Sequence, residues 1–236
     1  MVQILLRMPF ESKALEIIQR NHNVKSFRFF RPPFFYFKAG QCLLISLTID
    51  GNETKKYYSI SSSPTQKNFL EFTQKLTDTD FSKALNSLKS GDIVTLDGPY
   101  GTFTFEGEFK KVAMLAGGVG VTPCISMIKY CIDKKIETDI VLLYSNRTEA
   151  DILFRKEFDQ INKQNPNIKI IYILTRAKKH WAGYSRRIDK EMILETIPDL
   201  KERVFYLCGP PIFVSSMENV LSELNINDAS VRKENF

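Results

Sequence analysis

Histidine is nearly absent from this sequence. Of 236 residues only His22 and His180 are histidine, which rules out a His-rich metal cage. The four cysteines, Cys42, Cys124, Cys131 and Cys208, form no Cys-x-x-Cys pair. Structural zinc sites and plant-type iron–sulfur clusters need closely spaced thiolates, so neither is expected, and no other metal site is. The same spacing gives no disulfide framework, as suits a reducing cytosol. Long apolar runs are missing too. The longest uncharged stretch, 112–128, is broken by paired glycines and Pro123 and is too short to span a bilayer. Residues 1–7 lead into no long apolar stretch with a small-residue cleavage site. The expectation is a cytoplasmic protein with no signal peptide and no membrane contact. Internal repeats and low-complexity linkers are absent as well.

What is present is ordinary globular composition, with 43% apolar, 12% aromatic and 25% charged residues. That is enough apolar mass for a core. Lys+Arg number 33 against 27 Asp+Glu, a net charge of +6. The excess can steer an acidic partner and does not imply nucleic acid. The length favours two domains, and the rhythm changes near residue 106. Before it, short β-branched and apolar runs are punctuated by turn signals. The run 42–49 is followed by Asp50-Gly51-Asn52, and 93–96 follows Ser90-Gly91-Asp92, with a further strand over 69–76. One helical segment, 81–88, interrupts them. This pattern reads as a small antiparallel barrel. After it, strands over 112–115, 140–144, 168–174 and 204–207 alternate with helices over 123–134, 152–161, 190–196 and 212–224. That alternation predicts a parallel sheet covered on both faces. The expected domains are 1–106 and 107–236.

The first strand–helix junction of the second half reads Gly117-Gly118-Val119-Gly120-Val121-Thr122-Pro123. Glycines let a backbone approach a ligand, and the N–H groups opening a helix favour a phosphate. Thr122 suits an N-cap and Pro123 the first helical position. The segment is a variant of the dinucleotide fingerprint, with Pro123 where a third glycine would sit. The competing reading is a plain tight turn. The next two strands end in Asn146-Arg147 and Thr175-Arg176, the latter followed by Lys178 and Lys179. Arg147 and Arg176 suit a 2′-phosphate, hence NADPH over NADH. The competing reading is a solvated basic loop, with Glu149 and Asp151 close by. In the first half, Lys56-Tyr57-Tyr58-Ser59 puts Lys56 and Tyr58 on one strand face. A cation beside an aromatic ring can hold a phosphate and cover a flat heterocycle; a surface tyrosine on a strand edge is the plainer alternative.

Four segments occur in an order that resembles the ferredoxin–NADP reductase superfamily. They are Lys56-Tyr57-Tyr58-Ser59, Gly98-Pro99-Tyr100-Gly101, Gly117 to Pro123, and Cys208-Gly209-Pro210-Pro211, with Glu234-Asn235-Phe236 similar to the family's closing segment. The resemblance covers nearly the whole chain. It implies a Greek-key β-barrel that binds flavin, followed by a Rossmann-like α/β domain for pyridine nucleotide. It further implies hydride passing from NAD(P)H to the flavin, and electrons then reaching a separate acceptor such as a ferredoxin, since no iron–sulfur domain is expected in this chain. Two alternatives stand beside it: a reductase subunit of a larger oxygenase or multi-subunit redox complex, and a non-catalytic assembly subunit that retains the fold.

By the same resemblance Tyr58 lies against the isoalloxazine and Ser59 hydrogen-bonds near its N5. The family's first motif position is normally Arg; here it is Lys56, which keeps the charge and loses the planar fork. FAD is favoured over FMN because Thr79-Asp80-Phe81-Ser82 resembles the family's pyrophosphate turn, although its usual glycine is missing. Phe81 and Ser82 therefore join Thr73 and Gln74 as expected flavin contacts. Cys208 is expected beside the nicotinamide, flanked by Gly209 and Pro210. Glu234 is expected to relay protons or orient the ring, and Phe236 to shield the flavin or, alternatively, to fray. Cys42, Cys124 and Cys131 read as buried small apolar residues. Trp181 and Tyr184 read as loop packing.

Overall fold

A computed structural model describes residues 8–235. They fall into two compact units. One is the chain through Phe105 together with Ile125–Tyr130; the other is Glu106–Cys124 together with the chain from Cys131 on.

The first unit holds strands β1 (Phe10–Asn21), β2 (Val24–Phe30), β3 (Cys42–Ile49), β4 (Asn52–Ser59), β5 (Phe69–Lys75) and β6 (Ile93–Tyr100), with helix α1 (Asp80–Ser87) between the last two. The strands pair antiparallel in the order β4-β3-β6-β1-β2-β5. An Ile60–Phe72 bridge joins the two ends and closes the sheet as a barrel. The β3–β4 hairpin forms where Asp50 and Gly51 both take positive φ, 49° and 79°, the conformation a two-residue type I′ turn requires. Alternate side chains fill the interior. Phe72 stacks between Phe27 at 5.2 Å and Phe29 at 5.8 Å, among Leu43, Ile45 and Leu70.

Three outward-facing residues of β2 and β5, Ser26, Glu71 and Thr73, are polar yet buried. The Glu71 carboxylate, 3% exposed, accepts from Arg20 Nη2 at 3.1 Å, Arg28 Nε at 2.7 Å and Ser61 Oγ at 3.1 Å. Ser61 N–H donates to the Glu71 carbonyl at 2.7 Å, so one residue ties β1, β2 and β5 to the segment that follows Ser59.

The second unit holds β7 (Lys111–Gly117), the two ends of α2 (Val121–Lys134), β8 (Asp139–Asn146), α3 (Arg155–Gln164), β9 (Ile168–Leu174), α4 (Lys190–Thr196), β10 (Val204–Gly209), α5 (Pro211–Glu223) and β11 (Val231–Asn235). All five strands are parallel, in the order β11-β10-β7-β8-β9. On one face Met192 and Ile193 of α4 and Val214, Met217 and Leu221 of α5 share a core with Leu115, Leu143 and Leu207. On the other, Tyr144 meets Phe158 of α3 edge-on at 6.0 Å. Barrel and parallel sheet are thus the fold the sequence predicts.

Three local expectations need correction. Helix α2 starts at Val121, so Thr122 makes no cap and Pro123 is its third residue. A 3₁₀ turn over Gly118–Gly120 runs straight into the helix. Pro123 is tolerated there because the first four N–H groups of a helix lack intrahelical partners. Helix α3 starts at Arg155 rather than 152. Thr148 and Asp151 cap a separate 3₁₀ turn, and Ile152, Leu153 and Phe154 are buried before the helix begins, Phe154 at φ 55°. Cys124 and Cys131 are buried, but Cys42 is only half-buried.

Replacing Glu71 with Gln leaves Arg20 and Arg28 facing a neutral group. The expected loss is about 2–3 kcal/mol, short of a fully buried pair because the Arg28 side chain stays 30% exposed. Thermal denaturation reads this as a fall of roughly 5–10 °C in Tm; an unchanged Tm contradicts it.

Candidate functional site

In the first unit the expected residues separate by face. Tyr58 is half-buried, and its ring stacks on Phe72 at 5.0 Å and on Phe81 at 6.2 Å, with interplanar angles of 27° and 23°. Burial pushes its phenol well above the ordinary range, so the hydroxyl stays protonated. Lys56, on the same face, holds Nζ 5.5 Å from the Phe81 ring centroid. Tyr57 points the other way. It is exposed and meets Tyr100 edge-on at 5.4 Å, while the Tyr100 hydroxyl donates to Asp97 at 2.6 Å. Ser59, at the end of β4, is buried.

On β5, alternation divides Thr73 from Gln74. The Thr73 hydroxyl belongs to the outer polar network, 2.7 Å from Ser26 Oγ and 3.3 Å from Ser61 Oγ. Gln74 shares the face of Phe72; it is 8% exposed and its Oε1 has no donor. Helix α1 opens on Thr79, whose Oγ1 accepts from Ser82 N–H at 3.4 Å. Ser82 Oγ in turn accepts from Thr77 N–H at 2.8 Å, which closes the turn on itself. Phe72, the ring beneath Tyr58, was not singled out from the sequence. The apolar alternation Leu70, Phe72 along β5 is the signal that marks it.

In the second unit the three glycines do different work. A Cβ on Gly117 would lie 2.9 Å from the Phe213 ring, and one on Gly120 would lie 2.5 Å from the Gly209 Cα and 2.6 Å from the Cys208 carbonyl oxygen. Both glycines exist for packing within the fold. Gly118 takes φ +56° and faces open space. Val121, Thr122 and Pro123 are buried behind it. Gly120 therefore brings the start of α2 against the end of β10, where Pro210 caps α5.

Cys208 is fully buried and pairs in register with Glu234 of β11, Sγ lying 4.0 Å from Oε2. Burial first, and then the proximity of Cys124 and Glu234, push the thiol well above its ordinary value. It is a neutral thiol that shapes its surroundings rather than a thiolate nucleophile. Phe236 lies outside the described residues.

Beyond the strand ends, Thr175 N–H donates to the Asn146 carbonyl at 2.9 Å and Arg176 N–H to the Arg147 carbonyl at 2.7 Å. Arg147 and Arg176 therefore stand on neighbouring backbones, both exposed. Nearby Glu149 is already engaged, by Arg155 at 3.3 Å and His180 at 2.8 Å. Asn146 is 5% exposed; its amide approaches the Tyr144 hydroxyl, but neither its nitrogen nor its oxygen makes a well-formed hydrogen bond. Trp181 packs its loop, donating from Nε1 to the Tyr184 carbonyl at 3.1 Å. All of these residues stand at the carboxyl edge of the sheet, where open parallel sheets take ligands. A pocket of about 610 Å³ at the opposite edge, among Lys110, Lys135, Ile136 and Asn167, involves none of them.

Comparison with known proteins adds to this geometry. Residues 13–105 match the family model described as an oxidoreductase FAD-binding domain, and 114–219 the one described as an oxidoreductase NAD-binding domain. The chain is 32% identical over 232 residues to the glycine betaine monooxygenase reductase subunit of Chromohalobacter salexigens, covering 95% of this chain and 63% of that one. It is 30% identical over 223 residues to NADH-cytochrome b5 reductase 1 of Aspergillus terreus, covering 89% and 75%. The fold matches a ferredoxin NADP+ reductase from Neisseria gonorrhoeae, solved with FAD and NADP, at TM-score 0.83 and 20% identity over 96% of this chain and 98% of that one.

The buried thiols generate a pH prediction. Unfolded thiols ionise near pH ~8.5, whereas burial raises Cys124 and Cys131 to about 12. A raised folded pKa leaves stability intact at neutral pH and erodes it as pH climbs through that window. The denaturant midpoint should fall between about pH 8 and 10, and fall less in Cys131→Ala. Equal slopes in the two proteins would refute the assignment.

Proposed function

The chain belongs to the ferredoxin–NADP reductase superfamily, and from that premise we propose that it is a flavin-dependent NAD(P)H oxidoreductase delivering electrons to a separate acceptor protein. One observation carries the reading: an FAD-binding match seated on a closed barrel is followed by an NAD-binding match seated on a parallel sheet.

The side chains suit both groups. The half-buried ring of Tyr58, backed by the buried rings of Phe72 and Phe81, suits a planar ring system, and Gln74 Oε1 is an acceptor without a donor in the same barrel. Gly118 faces open space ahead of α2, and on β8 the buried Asn146 amide approaches the Tyr144 hydroxyl without a well-formed hydrogen bond. With FAD and a reduced nicotinamide bound, hydride transfer and onward delivery of electrons is the chemistry those groups supply. The chain's part is to bind and orient. Tyr58 offers its ring to the flavin, and Ser59 a hydroxyl at the strand end. Lys56 offers a cation to the phosphates, helped by the first N–H groups of α1, which favours FAD over FMN. The 117–123 backbone receives the dinucleotide. Cys208, kept neutral, packs at the nicotinamide position with Gly209 and Pro210, and Glu234 stands ready to hold a proton beside it.

Arg147 and Arg176, exposed and without ion pairs among the described residues, favour NADPH as donor. A ferredoxin-like acidic protein suits the +6 chain as acceptor. The likeness to a monooxygenase reductase subunit favours a second reading, in which the acceptor is an oxygenase component; the chain spans 63% of that relative's length.

The decisive experiment is optical. The purified protein, supplied with FAD, should turn yellow and bleach anaerobically on addition of NADPH. A colourless protein that FAD and FMN both fail to reconstitute would instead favour a non-catalytic assembly subunit. Donor choice has its own test. Replacing both Arg147 and Arg176 with Ala should raise KM for NADPH roughly tenfold or more, each lost charged hydrogen bond being worth about 1.5–3 kcal/mol, and leave KM for NADH in place. An equal rise for both donors would contradict a 2′-phosphate contact.

A further inference from the structure

Tyr144 is fully buried on β8, a strand shielded on both sides by β7 and β9, and sequence reasoning gave it no role. Its hydroxyl donates to the Gly118 carbonyl at 3.0 Å and accepts from Leu153 N–H at 3.2 Å. Burial keeps the phenol protonated, so the donation persists through the physiological pH range. The same Gly118 carbonyl accepts from Val121 N–H at the end of the 3₁₀ turn. It is therefore held from two directions, in a residue whose positive φ and lack of a Cβ would otherwise leave it the least constrained point of the turn.

A trans peptide points its C=O and its N–H in opposite directions. Drawing the Gly118 carbonyl inward, toward the strand, turns the N–H of the same peptide, that of Val119, outward toward the open side of the turn. That N–H lies in the first turn of the 3₁₀–α2 run, where donors have no intrahelical partner. The ring cannot drift, because Phe158 packs against it and Leu153 fixes the hydroxyl.

We propose that Tyr144 is a positioning residue for pyridine-nucleotide binding, its hydroxyl orienting the Gly118–Val119 peptide so that the Val119 N–H is presented to the pyrophosphate. The inference rests on the functional reading above and deepens it: the ligand part it concerns is the diphosphate, not the adenine or the nicotinamide.

Tyr144→Phe removes the hydroxyl and keeps the ring. With the FAD-loaded protein, KM for the dinucleotide should rise about fivefold, the worth of one hydrogen bond, while kcat stays within about twofold. Binding of ADP-ribose, which carries a pyrophosphate, should weaken to the same degree, and that of 2′-AMP, which does not, should be unchanged. Leu221→Ala, a core truncation under α5, serves as the control; it lowers Tm and leaves KM unchanged. If Tyr144→Phe lowers Tm with KM unmoved, or weakens 2′-AMP as much as ADP-ribose, the proposal is overturned. Should the variant fail to fold, the wild-type protein still decides: titration with inorganic pyrophosphate must shift the Val119 amide resonance, and its silence overturns the proposal. A wild-type protein that binds neither dinucleotide overturns the functional reading itself, and this inference with it.

Discussion

The approach of Gly120 to the Cys208–Gly209 backbone is the contact on which the second unit's ligand edge is built. A side chain at residue 120 would need space that the Gly209 Cα and the Cys208 carbonyl occupy. Because that space is closed, the first turn of α2 and the end of β10 form one surface. The parallel β10–β11 register then sets Glu234 opposite Cys208, and the β7–β8 register sets Gly117 opposite Ser145. Four segments far apart in sequence meet at one edge through backbone geometry, before any side chain has acted. The glycine-rich pattern is thus first a packing requirement, and only at Gly118 an opening toward solvent.

The buried polar groups divide into two kinds. Glu71 is satisfied on both oxygens, and its partners Arg20, Arg28 and Ser61 come from three different segments. Such a network fixes register, since one misplaced partner strands a buried charge. Gln74 Oε1 and the Asn146 amide are the opposite case: both are enclosed, and neither makes a well-formed hydrogen bond. An unmet buried acceptor costs about 1–3 kcal/mol. Gln74 is itself an expected flavin contact, and Asn146 adjoins Arg147, an expected phosphate contact. The fold is complete where it must be rigid and incomplete beside the marked positions.

How much of this could be read in advance depended on the kind of signal. The β9 and α4 segments stand at the bounds the hydrophobic rhythm predicts, because a buried β-branched run and an Asp189-capped amphipathic turn are local properties. Edge strand β11, Val231-Arg-Lys-Glu-Asn, carried no such signal; only its pairing to β10 makes it a strand, and that pairing is not local. The N-cap assigned to Thr122 failed because the positive φ of Gly118 starts a 3₁₀ turn that leaves no place for a cap. Period-two reasoning places Lys56 and Tyr58 on one face, as the structure has them, and the same alternation sets Tyr57 on the other, against Tyr100. Tyr144 was invisible as a functional residue, since a tyrosine inside an apolar strand reads as core until its hydroxyl partners are known.

Lysine at residue 56 takes on a definite meaning beside Phe81. An ammonium gains nothing from planarity, but it is attracted to a ring face, and here it stands over Phe81, on which the Tyr58 ring also stacks. The charge that an arginine would hold with a hydrogen-bonded fork is instead held over a hydrophobic platform by a flexible stem. Such a cation is positioned by the ring that also packs against Tyr58. A change that moves Phe81 therefore disturbs the Lys56 cation and the Tyr58 ring together.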